Sequence, residues 1–313
     1  MSNLIRISSL LLIVLWAGSC REDFQYTLED THQELNFLSE INPEEPVIAN
    51  LFKSYSLISE QHDIDLTQAQ IDFGGTDFPT RSTKIIYIAK DENFALRNFD
   101  FRPTPGNSYW IEGYVPGTDM DTIRARTFVP EPVSLKSGMV TEVEKIDQGN
   151  GKAHYRATVN IELGEPRQRP AYFQIIPQRK VSLIRREAGQ TIITHTNDLS
   201  GMDIVSINTA RNAVQELSQK PGLFVDYSRL SGQMISIDIE TTEPIDVNTE
   251  ILKIIDFKIN TLSEELYNYH INLHKHLVNN QSDYSAPLMS YSNIENGLGI
   301  FGSYSTTVSS IEI

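Results

Sequence analysis

The sequence predicts a mostly β protein: two β-sandwich-like (Ig-like) domains, the second carrying one prominent helix late in the chain. Three observations lead there. Short runs rich in Val, Ile, Thr and Tyr recur from residue 47 onward, with Gly, Pro and Asn between them. Several of these runs alternate apolar with polar residues, the period of a half-buried strand. And one strand signal follows another, without the interleaved helices that a βαβ fold requires.

Residues 1–19 are of a different kind. Arg6 precedes an apolar run over residues 10–16, and Ala17, Gly18 and Ser19 follow it. A basic start, a short apolar core and small residues make a secretory signal peptide. The run is shorter than the ~20 apolar residues a bilayer-spanning helix needs. Cys20, the one cysteine of the chain, comes directly after the small residues. That placement resembles the signal of bacterial lipoproteins, although Ala17 stands where the pattern usually has Leu. Cys20 is therefore the candidate lipidation site, carrying acyl chains of the palmitate type. A single chain holds a protein only marginally, and more than one anchors it stably. Arg21, Glu22 and Asp23 follow at once, a basic residue and two acids that resemble a surface-export signal of Bacteroidota lipoproteins. Residues 20–45 read as an acidic tether, in which Leu35, Phe37, Leu38 and Ile41 offer the material for a short docked segment.

The first β-domain takes residues 46–132. Residues 47–58 are rich in strand formers. Residues 64–73 alternate through Ile64, Leu66, Ala69 and Ile71, with a slip of one position that predicts a bulge. Residues 84–89 (KIIYIA) read as a buried strand. Residues 108–115 and 122–129 flank a Pro116-Gly117 turn. In the second of them Ile123, Ala125, Thr127 and Val129 share one face, and Arg124 and Arg126 share the other. Pro130 and Pro132 mark the boundary.

The second domain takes residues 133–313. Residues 140–146 and 154–163 pair around Gly149-Asn150-Gly151, a strong hairpin signal. Strands follow at 171–176, 181–185, 191–194, 223–227, 234–240 and 250–259, with a short helix over 208–219. The prominent helix covers 263–278. Ser263 is its N-cap, Glu264 and Glu265 sit where the helix dipole favours acids, and Leu266, His270, Leu273 and Leu277 share its apolar face. Asn279-Asn280 stops it. A last strand runs over 303–311.

Bulk composition narrows the function. The formal charge is −15, from 41 acidic against 26 basic side chains. An acidic surface repels nucleic acid and anionic headgroups. With Cys20 acylated no disulfide can form, so stability must come from burial. No second apolar run is long enough to cross a membrane.

Motifs that carry chemistry are few. Gly297, Gly299 and Gly302 formally spell a dinucleotide fingerprint, but no helix or acid can follow at the required distance; glycines permitting a turn or a close backbone approach fit better. His270 and His274 have zinc-ligand spacing on a helix, yet Ile271 stands where a metalloprotease has Glu. His270 is expected on the apolar face, and His274 and His276 in solvent. No nucleophile elbow of the G-x-S-x-G kind occurs. The carboxylate pairs Asp63 with Asp65 and Glu264 with Glu265 read as solvated surface. Tyr284, Tyr291 and Tyr304 are candidates for a partner surface, with core packing the alternative. Asp121-Thr122-Ile123 resembles the O-glycosylation site of exported Bacteroidota proteins, which makes Thr122 a candidate modification site. No catalytic residue, cofactor or metal is expected.

The C-terminal residues carry a wider resemblance. Ser263, Glu264, Glu265 and Tyr267 at the helix start, Pro287, and the run from Ser292 to Gly302 resemble the closing signature of a group of Bacteroidota outer-membrane lipoproteins, domain of unknown function 4249. Phe224, Asp226 and Gly232 match a weaker block, and Val47, Tyr109 and residues 122–130 resemble the first β-domain of that group. The resemblance implies a lipid-anchored protein of the outer membrane, facing the cell surface or the periplasm, with the residues after Cys20 favouring the surface. It further implies a non-catalytic accessory or ligand-binding partner of a TonB-dependent receptor, serving uptake of an unspecified small nutrient. The alternative is a structural or adhesive surface lipoprotein with no transport role.

Overall fold

In the computed structural model the residues described are 35–53, 66–77, 83–90, 93–98, 100–187, 190–209, 212–230, 232, 234–279 and 291–313. Cys20, the signal peptide, the export-signal residues, Asp63, Asp65 and Tyr284 lie outside them. In chain order the elements are β1 (Leu35–Ile41), β2 (Val47–Lys53), a 3-10 turn (Leu66–Gln68), β3 (Gln70–Gly75), β4 (Thr83–Lys90), β5 (Asn93–Asn98), β6 (Ser108–Tyr114), β7 (Ile123–Phe128), β8 (Leu135–Gly149) and β9 (Lys152–Leu163). Then come β10 (Tyr172–Glu187), β11 (Gln190–Ile207), β12 (Val214–Leu217), β13 (Lys220–Asp226), the one-turn α1 (Tyr227–Leu230), β14 (Ile235–Thr241), β15 (Ile245–Asp246), β16 (Glu250–Leu262), α2 (Glu264–Asn279) and β17 (Gly297–Glu312). The protein is mostly β and sandwich-like, as its alternating segments require.

The first sandwich packs β17, β1, β2, β5 and β4 against β3, β6 and β7, with the start of β4 also pairing β3. Its core holds Leu35, Phe37, Val47, Leu51, Ile71, Phe73, Tyr109, Ile111, Ile123 and Phe301. Along β7 the buried and exposed residues alternate as the sequence requires, with Arg124 and Arg126 outward. The second sandwich packs β8, β9, β14 and the end of β11 against β10, β13, β16 and the end of β17. Val159, Ile161, Phe173, Ile175, Val225, Ile237, Phe257 and Ile259 lie at its centre. β8 and β9 meet at Asn150-Gly151, whose φ angles of 53° and 74° give the doubly left-handed turn that matches strand twist.

β17 joins the two. Residues 297–303 run parallel to β1, and residues 304–312 run antiparallel to β16. All described residues fall in one compact unit, Gln33–Ser54 with Asp63–Ile313. α2 lies on the outer face of this shared strand. Leu266, Tyr267 and Ile271 meet Ile300 of β17, Leu38 of β1, Phe224 of β13 and Tyr172 of β10. Gly302 permits that approach, because a Cβ there would lie 2.8 Å from the Leu266 Cβ. Gly299 has φ +119° and sits against the Phe37 carbonyl, so no L side chain fits. The glycine run thus serves backbone approach within a strand.

Several expectations are corrected. Residues 35–41, assigned to the tether, form β1: Leu35, Phe37 and Ile41 are each 1% exposed, and the Ser39 hydroxyl donates to the Ile48 carbonyl at 2.7 Å. Burial of that alternating face outweighs the acidic surroundings. The first sandwich is therefore not confined to residues 46–132; it takes β1 from before and half of β17 from the far end. The slip near Ala69 is the 3-10 turn, closed by Ala69 N donating to the Leu66 carbonyl at 3.0 Å, in place of a bulge. Residues 208–219 hold no helix among those described; β12 lies there, and Val214 and Leu217 are buried against β13. Residues 171–176 and 181–185 are one strand running through Pro177. Pairing with β13 ends at Ile175 and pairing with β11 begins at Gln178, so on that edge Pro177 has no strand partner, while on the other edge it stands opposite Phe257 of β16. The strand at 191–194 is the start of an 18-residue β11 that crosses between sheets. On α2, Tyr267 and Ile271 replace Leu273 and Leu277 on the buried face, and Leu277 is 41% exposed.

Candidate binding groove

The residues singled out by sequence do not converge on one place. Thr122 stands half-buried at the residue before β7, and its carbonyl accepts from Asn296 Nδ2 at 3.1 Å. His270 is buried under α2. Its Nε2 is 3.6 Å from Glu40 Oε1, while Lys220 Nζ donates to the same carboxylate at 3.1 Å. Burial pushes the His270 pKa down to about 4; Glu40 opposes this and Lys220 reinforces it. His270 Nδ1 is buried with no hydrogen-bond partner among the described residues. His274, expected in solvent, is half-buried with its ring 3.3 Å from the Ser218 hydroxyl. Among the described residues no group of three or more His, Cys, Asp or Glu side chains could hold a metal ion.

Tyr304 packs under α2, and its hydroxyl oxygen lies 3.0 Å from Asn42 Nδ2. Asn42 Nδ2 is the donor, so the tyrosine oxygen accepts. Tyr291 is different: it lines a groove. Two cavities of about 500 and 510 Å³ lie along the outer face of β6 and β7, and a third of about 430 Å³ lies between the end of β7, residues 166–171 and the start of α2; Glu265 of α2 lines all three. The two larger ones also share Trp110 and Arg126, which face each other across β6 and β7.

The floor follows from strand alternation. Tyr109 and Ile111 point into the core, so Trp110 and Glu112 point outward. Gly74 of β3 lies opposite Trp110. A Cβ at Gly74 would come 2.5 Å from Cε2 of the indole, so the missing side chain lets the ring rest on β3 backbone. Beside it, Glu112 Oε1 accepts from Arg124 Nε at 3.1 Å and Nη2 at 3.0 Å. Arg124 is about half exposed, so this pair positions more than it stabilises. Neither the Arg126 guanidinium nor the Glu265 carboxylate takes a hydrogen bond or ion pair from the other described residues.

The wall is the segment before β17. Asn293 binds the Phe301 backbone on both sides, donating at 2.8 Å and accepting at 2.9 Å. Glu295 exchanges backbone bonds with Arg124 at 3.2 and 2.8 Å. Burial, with Glu265 and Glu264 nearby, pushes the Tyr291 hydroxyl pKa up. The end of the groove is the start of α2, where Leu266 N donates to Ser263 Oγ at 3.3 Å and Ser263 N donates to the Ser303 carbonyl at 2.8 Å. The N-cap expected at Ser263 is thus also a suture between helix and β17.

Sequence reasoning passed over Trp110, Arg126 and Glu265 as a set. The available signal was Trp110 itself, the one tryptophan beyond residue 16, on the polar side of an alternating strand.

Fold and groove together define the class: a two-sandwich, mostly β protein organised on a shared strand, with a helix-capped groove across one sheet. No helix among the described residues is long and apolar enough to cross a membrane. The family model for a domain of unknown function (DUF4249) matches residues 21–310, and the chain belongs to that family. No curated protein matches it.

Proposed function

We propose that the protein is a surface-exposed outer-membrane lipoprotein, acylated at Cys20, that serves as a non-catalytic accessory or ligand-binding partner of a TonB-dependent receptor in nutrient uptake. The observation that carries this reading is the position of the family region. It begins at residue 21, directly behind the cysteine that ends a signal-like segment. The receptor comes from the family resemblance and the binding role from the groove. A lipid anchor confines the protein to the plane of such a receptor and raises its effective concentration there. Trp110, the Glu112–Arg124 pair and Glu265 offer apolar and polar contacts on one face, which supports a role in recognition.

The test is isolation of the native protein from membranes in gentle detergent, with and without candidate nutrients. Co-purification with a TonB-dependent receptor is the expected result. Recovery of the lipoprotein alone under every condition would overturn the receptor role and favour a structural or adhesive one.

A further inference from the structure

The outer face of β6 and β7 combines two features that the sheet does not need. One is a broad apolar ring, Trp110, laid on backbone where Gly74 has no side chain. The other is a pair of opposite charges, Arg126 and Glu265, that both line the cavities over that ring and have no side-chain partner among the described residues. Trp110 keeps part of its ring open to solvent, and the exposed Arg126 and half-buried Glu265 line the same cavities over it.

We propose that this groove binds a neutral carbohydrate, with one pyranose ring stacked on Trp110 and its hydroxyls held by Arg126 and Glu265. This deepens the binding role assigned above and rests on it. A pyranose presents an apolar C–H face, which an indole covers without needing charge. Its rim hydroxyls each donate and accept. They match a guanidinium, which only donates, and a carboxylate, which only accepts, in the lining of the same cavities. Hydrogen bonds to such ionised groups are the stronger kind.

Other ligand classes fit less well. A nucleotide would stack on the indole, but its phosphates would meet three carboxylates, Glu112, Glu265 and Glu295, against two guanidinium groups, of which Arg124 is already held by Glu112, in a chain of formal charge −15. A fatty chain would leave these charges desolvated without partners. A free amino acid satisfies Arg126 and Glu265, yet it fills a small part of two cavities of about 500 and 510 Å³ that share Trp110, Arg126 and Glu265. That space suits a chain of rings.

Trp110 is also the reporter. The sequence has two tryptophans, at 16 and 110, so in full-length protein carrying Trp16→Phe all indole emission comes from the groove. The probes are cellohexaose, maltohexaose, xylohexaose and mannohexaose, titrated to millimolar concentration, with triglycine as the zwitterionic comparison. At least one hexasaccharide is expected to shift the emission saturably. Arg126→Ala and Glu265→Gln, both at exposed or half-exposed positions, are expected to weaken that binding about tenfold or more each. No shift with any hexasaccharide overturns the proposal. So does a shift that both variants leave unchanged, or a saturable response to triglycine alone. The titration needs no receptor, so failure of sugar binding and failure of receptor co-purification are separate results.

Discussion

Protonating His270 is expected to loosen α2 from the sheets, and the size of the effect follows from its surroundings. The residue is 4% exposed, between Glu40 of β1, Lys220 of β13, and the rings of Phe224 and Tyr269, each 5.6 Å away. Burial lowers its pKa from 6.5 to about 4 in the folded state. The unfolded chain therefore binds a proton that the folded one refuses between those two values. Stability is complete above pH 6.5 and is lost as pH falls toward 4. At pH 4.5 the loss from this residue amounts to roughly 2.5 kcal/mol, since each unit of separation is worth about 1.4 kcal/mol. Many carboxylates titrate in the same range, so the measurement is a difference. Urea unfolding of wild type and His270→Leu is compared at pH 7 and pH 4.5. The variant, with an apolar side chain of similar bulk, is expected to lose about 2–3 kcal/mol less than wild type over that interval. Parallel losses in the two proteins would refute the assignment of His270 as a neutral, buried imidazole.

Three further outcomes are expected. Phe301→Ala removes a fully buried ring that meets Phe37 and Phe73 edge-on, each at 6.2 Å between centroids. It is expected to cost about 3–5 kcal/mol in urea unfolding, and a loss under ~1 kcal/mol would contradict the packing described. Cys20→Ala is expected to abolish acylation and move the protein to the aqueous phase in detergent partitioning, whereas a variant still wholly in the membrane fraction would remove the lipid anchor from the proposal. Intact mass spectrometry of native protein is expected to show a glycan that Thr122→Ala lacks; equal masses, apart from the substituted side chain, would eliminate Thr122 as the modification site.

Local order was legible where one face of one element met one core. Ile123, Ala125, Thr127 and Val129 announced β7, and Ser263 with Glu264 and Glu265 announced α2, because capping and alternation act over a few residues. β1 was hidden because its alternation is only seven residues long and stands among acids; what fixes it is pairing with Gly297 to Ser303, at the other end of the chain. Pro177 looked like a break because a proline's missing donor matters only if a partner strand is there to receive it, and partners are not visible in sequence. The face of α2 was shifted for a similar reason: Tyr267 stacks on Tyr172 at 4.2 Å, and only the sheet beneath selects Tyr267 over Leu273. The groove draws Trp110, Arg126, Glu265 and Tyr291 from four segments. None of these residues has a local pattern that names the others.

The division of β17 between two sandwiches has a consequence for the order in which the molecule can be made. Among the described strands a ribosome delivers β1 first and β17 last. Until residues 297–303 arrive, β1 lacks its parallel neighbour and the core around Phe37 and Phe73 lacks Phe301. The N-terminal half cannot finish folding while the C-terminal half is still being synthesised. Contacts of such long sequence separation close slowly. The first sandwich of the nascent polypeptide therefore stays open until β17 emerges, and its closure waits on synthesis of the whole second sandwich that lies between.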